Sequence, residues 1–126
     1  MTTVLDASAL LALMQCEPGG DVVARRLADV AMSAVNWQEV VVKLTNSHFE
    51  SDEIDDTLVD FQFPILPHDA AQARTAGLLR RATRTAGLSL GDRSCLALAL
   101  SLDAPVLTAD RAWADLDVGA RIEVIR

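Results

Sequence analysis

The stretch LGDRSCLALALSLDAPVLTAD, residues 90–110, carries the reading of the fold. From Asp92 to Leu102 it is apolar almost all round, the mark of a helix buried in the middle of a domain. Val106-Leu107-Thr108 then forms a short apolar run, as expected of a strand covered on both faces. Working outward, Thr3–Leu5, Met32–Val35 and Pro64–Leu66 are strands of the same kind, and Ile122–Ile125 is one that alternates more. Between them lie helical patterns at Ala7–Met14, Asp21–Val30, Trp37–Thr45, Asp52–Phe61, Ala70–Thr85 and Asp92–Leu102. Strands alternating with helices predict a parallel sheet with right-handed crossovers, in a three-layer α/β/α sandwich. A chain of 126 residues without repeat or linker fits a single domain spanning residues 1–126.

Composition narrows the class. Hydrophobic residues make up 51% and charged residues 23%, enough apolar material for a real core, so disorder is excluded as the main description. No apolar run is long enough to span a bilayer. The opening MTTVLDASALLALMQ lacks a basic lead and is interrupted by Asp6, so no signal peptide is expected. Cys16 and Cys95 form no C-x-x-C pair, which predicts reduced thiols in a cytoplasmic protein. The net charge of −7 argues against a protein that coats nucleic acid, whose footprint is basic. The charge is nevertheless polarised: Ser47–Asp69 holds acids and no Lys or Arg, whereas Ala70–Arg93 holds Arg74, Arg80, Arg81, Arg84 and Arg93 against Asp92 alone.

In an open parallel sheet, ligands sit beyond the carboxyl ends of the strands. Four acids fall there or in a first helical turn: Asp6, Glu39, Asp92 and Asp110. Each also reads as a helix-end residue. Asp6 can be an N-cap, Asn36 to Glu39 has capping-box spacing, Asp92 suits the helix dipole, and Asp110 can cap a short helix through Trp113. Read jointly, four converging carboxylates would repel one another unless a cation sat between them. Oxygen-only ligation suits Mg²⁺ or Mn²⁺ rather than zinc, and magnesium at an open carboxylate site commonly handles phosphate.

The segments Val4-Leu5-Asp6-Ala7-Ser8-Ala9, Glu39 early in its helix, Leu90-Gly91-Asp92-Arg93 and Val106-Leu107-Thr108-Ala109-Asp110 together resemble the PIN-domain ribonucleases, most closely the VapC toxins of type II toxin–antitoxin pairs. The resemblance covers nearly the whole chain. It implies a Mg²⁺- or Mn²⁺-dependent endoribonuclease with Asp6, Glu39, Asp92 and Asp110 as catalytic and metal-holding acids, and Ser8 and Thr108 as supporting hydroxyls. Asp115 or Asp117 could assist the fourth position. It further implies attack on phosphorus by a metal-activated water, leaving a 5′-phosphate and a 3′-hydroxyl. A cognate antitoxin is implied as partner, as are homodimerisation and a toxin–antitoxin hetero-oligomer. The antitoxin would lay a helix on the apolar face of Ile54, Leu58 and Phe61 and insert a basic side chain among the carboxylates. Core packing is the other reading of that face.

RNA contacts are expected from Arg93 and Arg111, each next to a site acid, and from Arg74, Arg81 and Arg84 along one helical face. Ion pairing and a solvated helix face are the competing readings. His48 and His68 stand away from the acids, which disfavours cleavage through the substrate's 2′-hydroxyl by paired histidines. Trp37 and Trp113 read as core aromatics. Two alternatives remain in view. One is a non-catalytic PIN-like binding module, which would lack a member of the quartet. The other is a phosphoreceiver domain, which needs an acceptor Asp after the third strand, where Pro67-His68 stands, and a Lys after the fifth, whereas the sole lysine is Lys43.

Overall fold

A computed structural model describes residues 2–126. In chain order the elements are β1 (Thr3–Leu5), α1 (Ala7–Met14), α2 (Gly20–Arg26), β2 (Val30–Ser33), α3 (Ala34–Asn46), α4 (Ser51–Phe61), β3 (Ile65–Leu66), α5 (Ala70–Thr83), α6 (Leu90–Leu102), β4 (Val106–Thr108) and β5 (Ile122–Val124). Single 3₁₀ turns follow α2 and α5, and a longer one, Arg111–Asp115, follows β4. All five strands are parallel, in the order β3-β2-β1-β4-β5. The expected α/β architecture is therefore the one observed.

The period-2 geometry of a strand explains the layers. In β1, Val4 joins Leu96, Leu98, Val106 and Trp113 in one apolar cluster, whereas its neighbour Leu5 joins Leu10, Val23, Met32, Val40 and Leu107 in the other. Val106 and Leu107 of β4 divide in the same way. Both faces of the central strands are thus covered, and β1, β2 and β4 are buried along their whole length. The edge strand β5 alternates between half-buried and exposed positions, as its sequence does.

Several element boundaries shift by a few residues from the sequence reading, most at two places. Val30 belongs to β2, where it pairs with Thr3, because α2 ends at Arg26 and a 3₁₀ turn realigns the chain. The next helix starts at Ala34: the Ser33 hydroxyl accepts from the Val35 N–H and caps it, so Asn36 lies inside α3 rather than at its N-cap.

The chain runs from central β1 outward through β2 to β3, then returns to the other side of β1 for β4 and β5. The reversal lies between β1 and β4. A crevice opens beyond the carboxyl ends of two strands at such a switch point. α3 packs against both α1 and α6, which brings a helix from each side toward that edge.

Candidate active site

Asp6 follows β1, and its backbone N–H donates to Leu107 O at 3.0 Å, which fixes it against β4. It stands at the start of α1 but its carboxylate does not cap the helix. Instead Oδ2 accepts from Ser8 Oγ at 2.6 Å and from Thr108 Oγ1 at 2.9 Å. Each hydroxyl is used twice. Ser8 Oγ also accepts from the Ala109 N–H, and Thr108 Oγ1 from the Asp110 N–H. Asp6 and Ser8 at the β1–α1 junction and Thr108 of β4 therefore lock the start of α1 and the turn after β4 into one polar network. Thr108 is fully buried and Asp6 is only 4% exposed.

Asp110 caps the 3₁₀ turn, with Oδ1 accepting from the Ala112 N–H at 2.9 Å. Asp92 forms a reciprocal capping box with Ser89 at the start of α6. The helix-end readings of these two acids are thus correct as far as they go. Glu39 differs: its Oε1 accepts from Asn36 Nδ2 at 2.8 Å, and the same amide donates to Gly91 O at 3.0 Å. Asn36 is fully buried and ties α3 to the first turn of α6. Gly91 makes this approach possible, since a β-carbon there would stand 2.6 Å from Glu39 Cδ.

The four carboxylates, contributed by four separate segments, line one pocket of about 200 Å³ together with Ala7, Ser8, Leu11 and Lys43. Each carboxylate spends one oxygen on a local hydrogen bond. The second oxygen of each (Asp6 Oδ1, Glu39 Oε2, Asp92 Oδ1, Asp110 Oδ2) accepts none from the described residues.

Electrostatics follow from this crowding. Burial pushes the Asp6 carboxyl up from 3.8 to about 6, and repulsion from Asp92 and Glu39 adds to that, while the Ser8 and Thr108 bonds oppose it. Glu39 is also raised, first by burial and then by Asp92, against the Asn36 bond and Lys43. Buried Cys95 behind the site has its thiol pushed well up, by burial and by the same acids, so it stays protonated and is no nucleophile.

The donor set fits a hard, oxygen-preferring divalent cation such as Mg²⁺ or Mn²⁺: four carboxylates with free oxygens, and neither Cys nor His in the lining. The acids share a pocket rather than a tight cage, for no group of three His, Cys, Asp or Glu residues is close enough to form a ready metal site among the described residues.

Other sequence-predicted residues lie elsewhere. Arg93, although next to Asp92, does not line the pocket; it is half-buried on another side of α6 and donates from Nη1 to Leu88 O at 2.8 Å. Arg111 is exposed and donates to Arg126 O. Arg74, Arg81 and Arg84 are exposed at and just beyond α5. His48, His68, Asp115 and Asp117 are all outside the pocket lining. Trp113 is fully buried in the core, while Trp37 is half-buried and lines a groove between α3 and α4. Sequence reasoning missed Lys43 as a lining residue, Gly91 as the space that admits Glu39, and the tethering role of Asn36. Lys43 had one available signal, its position four residues after Glu39 on the same helix.

The family model of the PIN domain matches residues 3–119. Comparison of the sequence with curated proteins gives no match. Among solved structures, a toxin–antitoxin complex from Klebsiella pneumoniae contains a chain 19% identical, with 99% of this chain and 98% of that one covered at a TM-score of 0.78. A DNA-bound VapBC from Salmonella typhimurium aligns at 16% identity over 100% and 99%, with a TM-score of 0.77. A member of the VapBC family of toxin–antitoxin systems from Mycobacterium tuberculosis is 27% identical over 99% and 98%, with a TM-score of 0.63.

Proposed function

The chain belongs to the PIN domain family, and from that premise we propose that it is a Mg²⁺- or Mn²⁺-dependent endoribonuclease acting as the VapC-like toxin of a toxin–antitoxin pair. The observation that carries this reading is the pocket at the β1/β4 switch point, where four carboxylates each keep one oxygen free. Asp6, Asp92 and Asp110, with Glu39, would hold the ion, which when bound polarises phosphoryl oxygens and acidifies water. Asp6 is the fixed member, oriented by Ser8 and Thr108. Glu39 presents Oε2 to the pocket while Asn36 holds Oε1, so it either completes the ligand set or orients the attacking water. Exposed Arg81, Arg84 and Arg111 would meet the RNA backbone from outside the cleft.

The partner we propose is an antitoxin that lays an apolar helix in the groove between α3 and α4. Trp37, Val41, Phe49, Ile54 and Leu58 line a cavity there of about 440 Å³. Of the Ile54–Leu58–Phe61 face, Ile54 and Leu58 line this groove, and all three also pack against the core, so the two earlier readings of that face meet here. A basic side chain from that partner would neutralise the carboxylate pocket. A homodimer, a toxin–antitoxin hetero-oligomer and a cytoplasmic setting complete the proposal. No helix among the described residues is long and apolar enough to cross a membrane.

A second reading, a PIN module that binds without cleaving, is favoured by one observation: the acids do not form a ready three-ligand metal group. Incubation of the purified protein with single-stranded RNA and Mn²⁺ separates the two. The nuclease reading expects 5′-phosphate products, their loss in EDTA, and their loss in Asp6→Asn. Cleavage that persists in EDTA, or yields 2′,3′-cyclic phosphates, contradicts the mechanism, and an inert wild type supports the binding module.

A further inference from the structure

A second cavity, of about 180 Å³, lies between α5 and α6, walled by His68, Ala73, Ala76, Gly77, Leu90 and Arg93. Three features distinguish it from a packing gap. First, His68 Nδ1 is buried without a hydrogen-bond partner, an arrangement that calls for one. Second, Arg93 spends Nη1 on Leu88 O, which anchors the guanidinium and leaves its Nε–Nη2 edge as a two-donor fork without a partner among the described residues. Third, Gly77 stands inside α5, where glycine is disfavoured relative to alanine. A β-carbon on it would meet nothing within 4 Å, so packing does not require the glycine. The missing side chain leaves the cavity open, and Leu90, 69% exposed, forms an apolar lip.

We propose that this cavity receives one unstacked nucleobase of the RNA substrate, guanine by preference, beside the cleavage cleft. The proposal deepens the ribonuclease reading and rests on it. The walls are mostly apolar and shaped by small residues, as a planar base requires, with His68, Arg93 and Ser94 as the polar side chains among them. Single-stranded RNA is read by splaying out a base, stacking it and hydrogen-bonding its edges. An arginine fork matches the paired O6 and N7 acceptors of guanine, and no pyrimidine offers that pair. The location suits a neighbouring nucleotide: Leu90 and Arg93 share the first turns of α6 with Asp92, which faces the carboxylate pocket. Arg93 thus reads base rather than scissile phosphate.

The test uses guanosine 5′-monophosphate and cytidine 5′-monophosphate as probes in EDTA, with NMR of the His68 ring and the Arg93 Nε–H. The guanine nucleotide should shift both signals, with the cytidine nucleotide about tenfold weaker or more. Gly77→Leu fills the cavity with a better helix former and should abolish the shifts with its circular dichroism unchanged. In a parallel cleavage of a randomised RNA pool with Mn²⁺, guanine should be enriched at one position near the cut. Gly77→Leu and Arg93→Lys should erase that enrichment. Equal shifts from both nucleotides, shifts that survive Gly77→Leu, or shifts from an antitoxin peptide but neither nucleotide would overturn the proposal. Cleavage with no guanine enrichment and no nucleotide binding defeats the base pocket and leaves the nuclease standing. Specific guanine binding without any cleavage upholds the pocket and defeats the nuclease.

Discussion

The two halves of the carboxylate cleft are built differently. On the β1–β4 side, Asp6 and Asp110 sit directly at strand ends, and a hydroxyl network of Ser8 and Thr108 fixes them to backbone held by the sheet. On the α3–α6 side, Glu39 and Asp92 are mounted on helices, held by one buried amide and one capping box. In the first half Asp6 is buried and carries the electrostatic cost, seen in its raised carboxyl, whereas Asp110 is exposed. In the second half both acids are half-buried, and their placement depends on how closely two helices approach.

The largest expected effect is at Asp6. Asp6→Asn should remove RNA cleavage altogether and yet stabilise the protein in EDTA. The sign follows from proton linkage. With the folded carboxyl at about 6 and the unfolded one at 3.8, this group favours the fold below pH 4, and that contribution is lost as pH rises through 6. The gap corresponds to roughly 3 kcal/mol at neutral pH. Urea unfolding of wild type and variant between pH 4 and 8 should give stabilities that diverge between about pH 4 and 6 and then keep a constant gap, with the variant more stable. Stabilities that stay a fixed distance apart from pH 4 upward would mean that Asp6 carries no such burden. Mg²⁺ should narrow the difference by stabilising wild type alone.

Thr108→Val comes next. It removes a fully buried hydroxyl that donates to Asp6 and accepts from Asp110 N–H, leaving a buried backbone donor unpaired, at a cost of about 1–3 kcal/mol. Activity should fall with stability. A variant with wild-type melting temperature and turnover would show that the strand-end network is dispensable.

The helix-mounted half should behave in the opposite way. Gly91→Ala collides with the Glu39 carboxylate at the far end of a flexible side chain, so the fold should survive while Glu39 is displaced. Cleavage should drop by about tenfold or more, in line with the usual worth of a positioned catalytic group. Unchanged cleavage would dismiss Glu39 from the mechanism.

Ser89→Ala should show the smallest effect, about 1 kcal/mol in stability from loss of the α6 cap, with a modest fall in activity as Asp92 gains freedom. A larger loss of activity than Gly91→Ala causes would reverse the ranking of the two helix-borne acids.

This contrast also explains what could be read from the sequence. The parallel sheet and its layers were legible because Val4-Leu5 and Val106-Leu107 are short apolar runs set between helical patterns, a local signal. Asp6, Asp92 and Asp110 were legible for the same reason, since each lies at the end of an element, whereas Glu39 lies inside α3. What escaped depended on packing between distant segments. Asn36 has the spacing of a cap, but Ser33 takes that place, and only the approach of α6 gives Asn36 its role. Nothing in the sequence marks the space that Gly91 leaves until Glu39 is seen beside it. Arg93 follows a site acid in sequence, but one step along a helix turns the side chain away by about 100°. That rotation carries it to the other cavity.

The central claim is that the four carboxylates act together on one class of ion. Calorimetric titration of Mn²⁺ into the protein tests it most directly. Saturable binding to wild type, lost in Asp6→Asn and weakened in Asp92→Asn and Asp110→Asn, is the predicted result. Binding that is absent in wild type, or indifferent to all three substitutions, would contradict it.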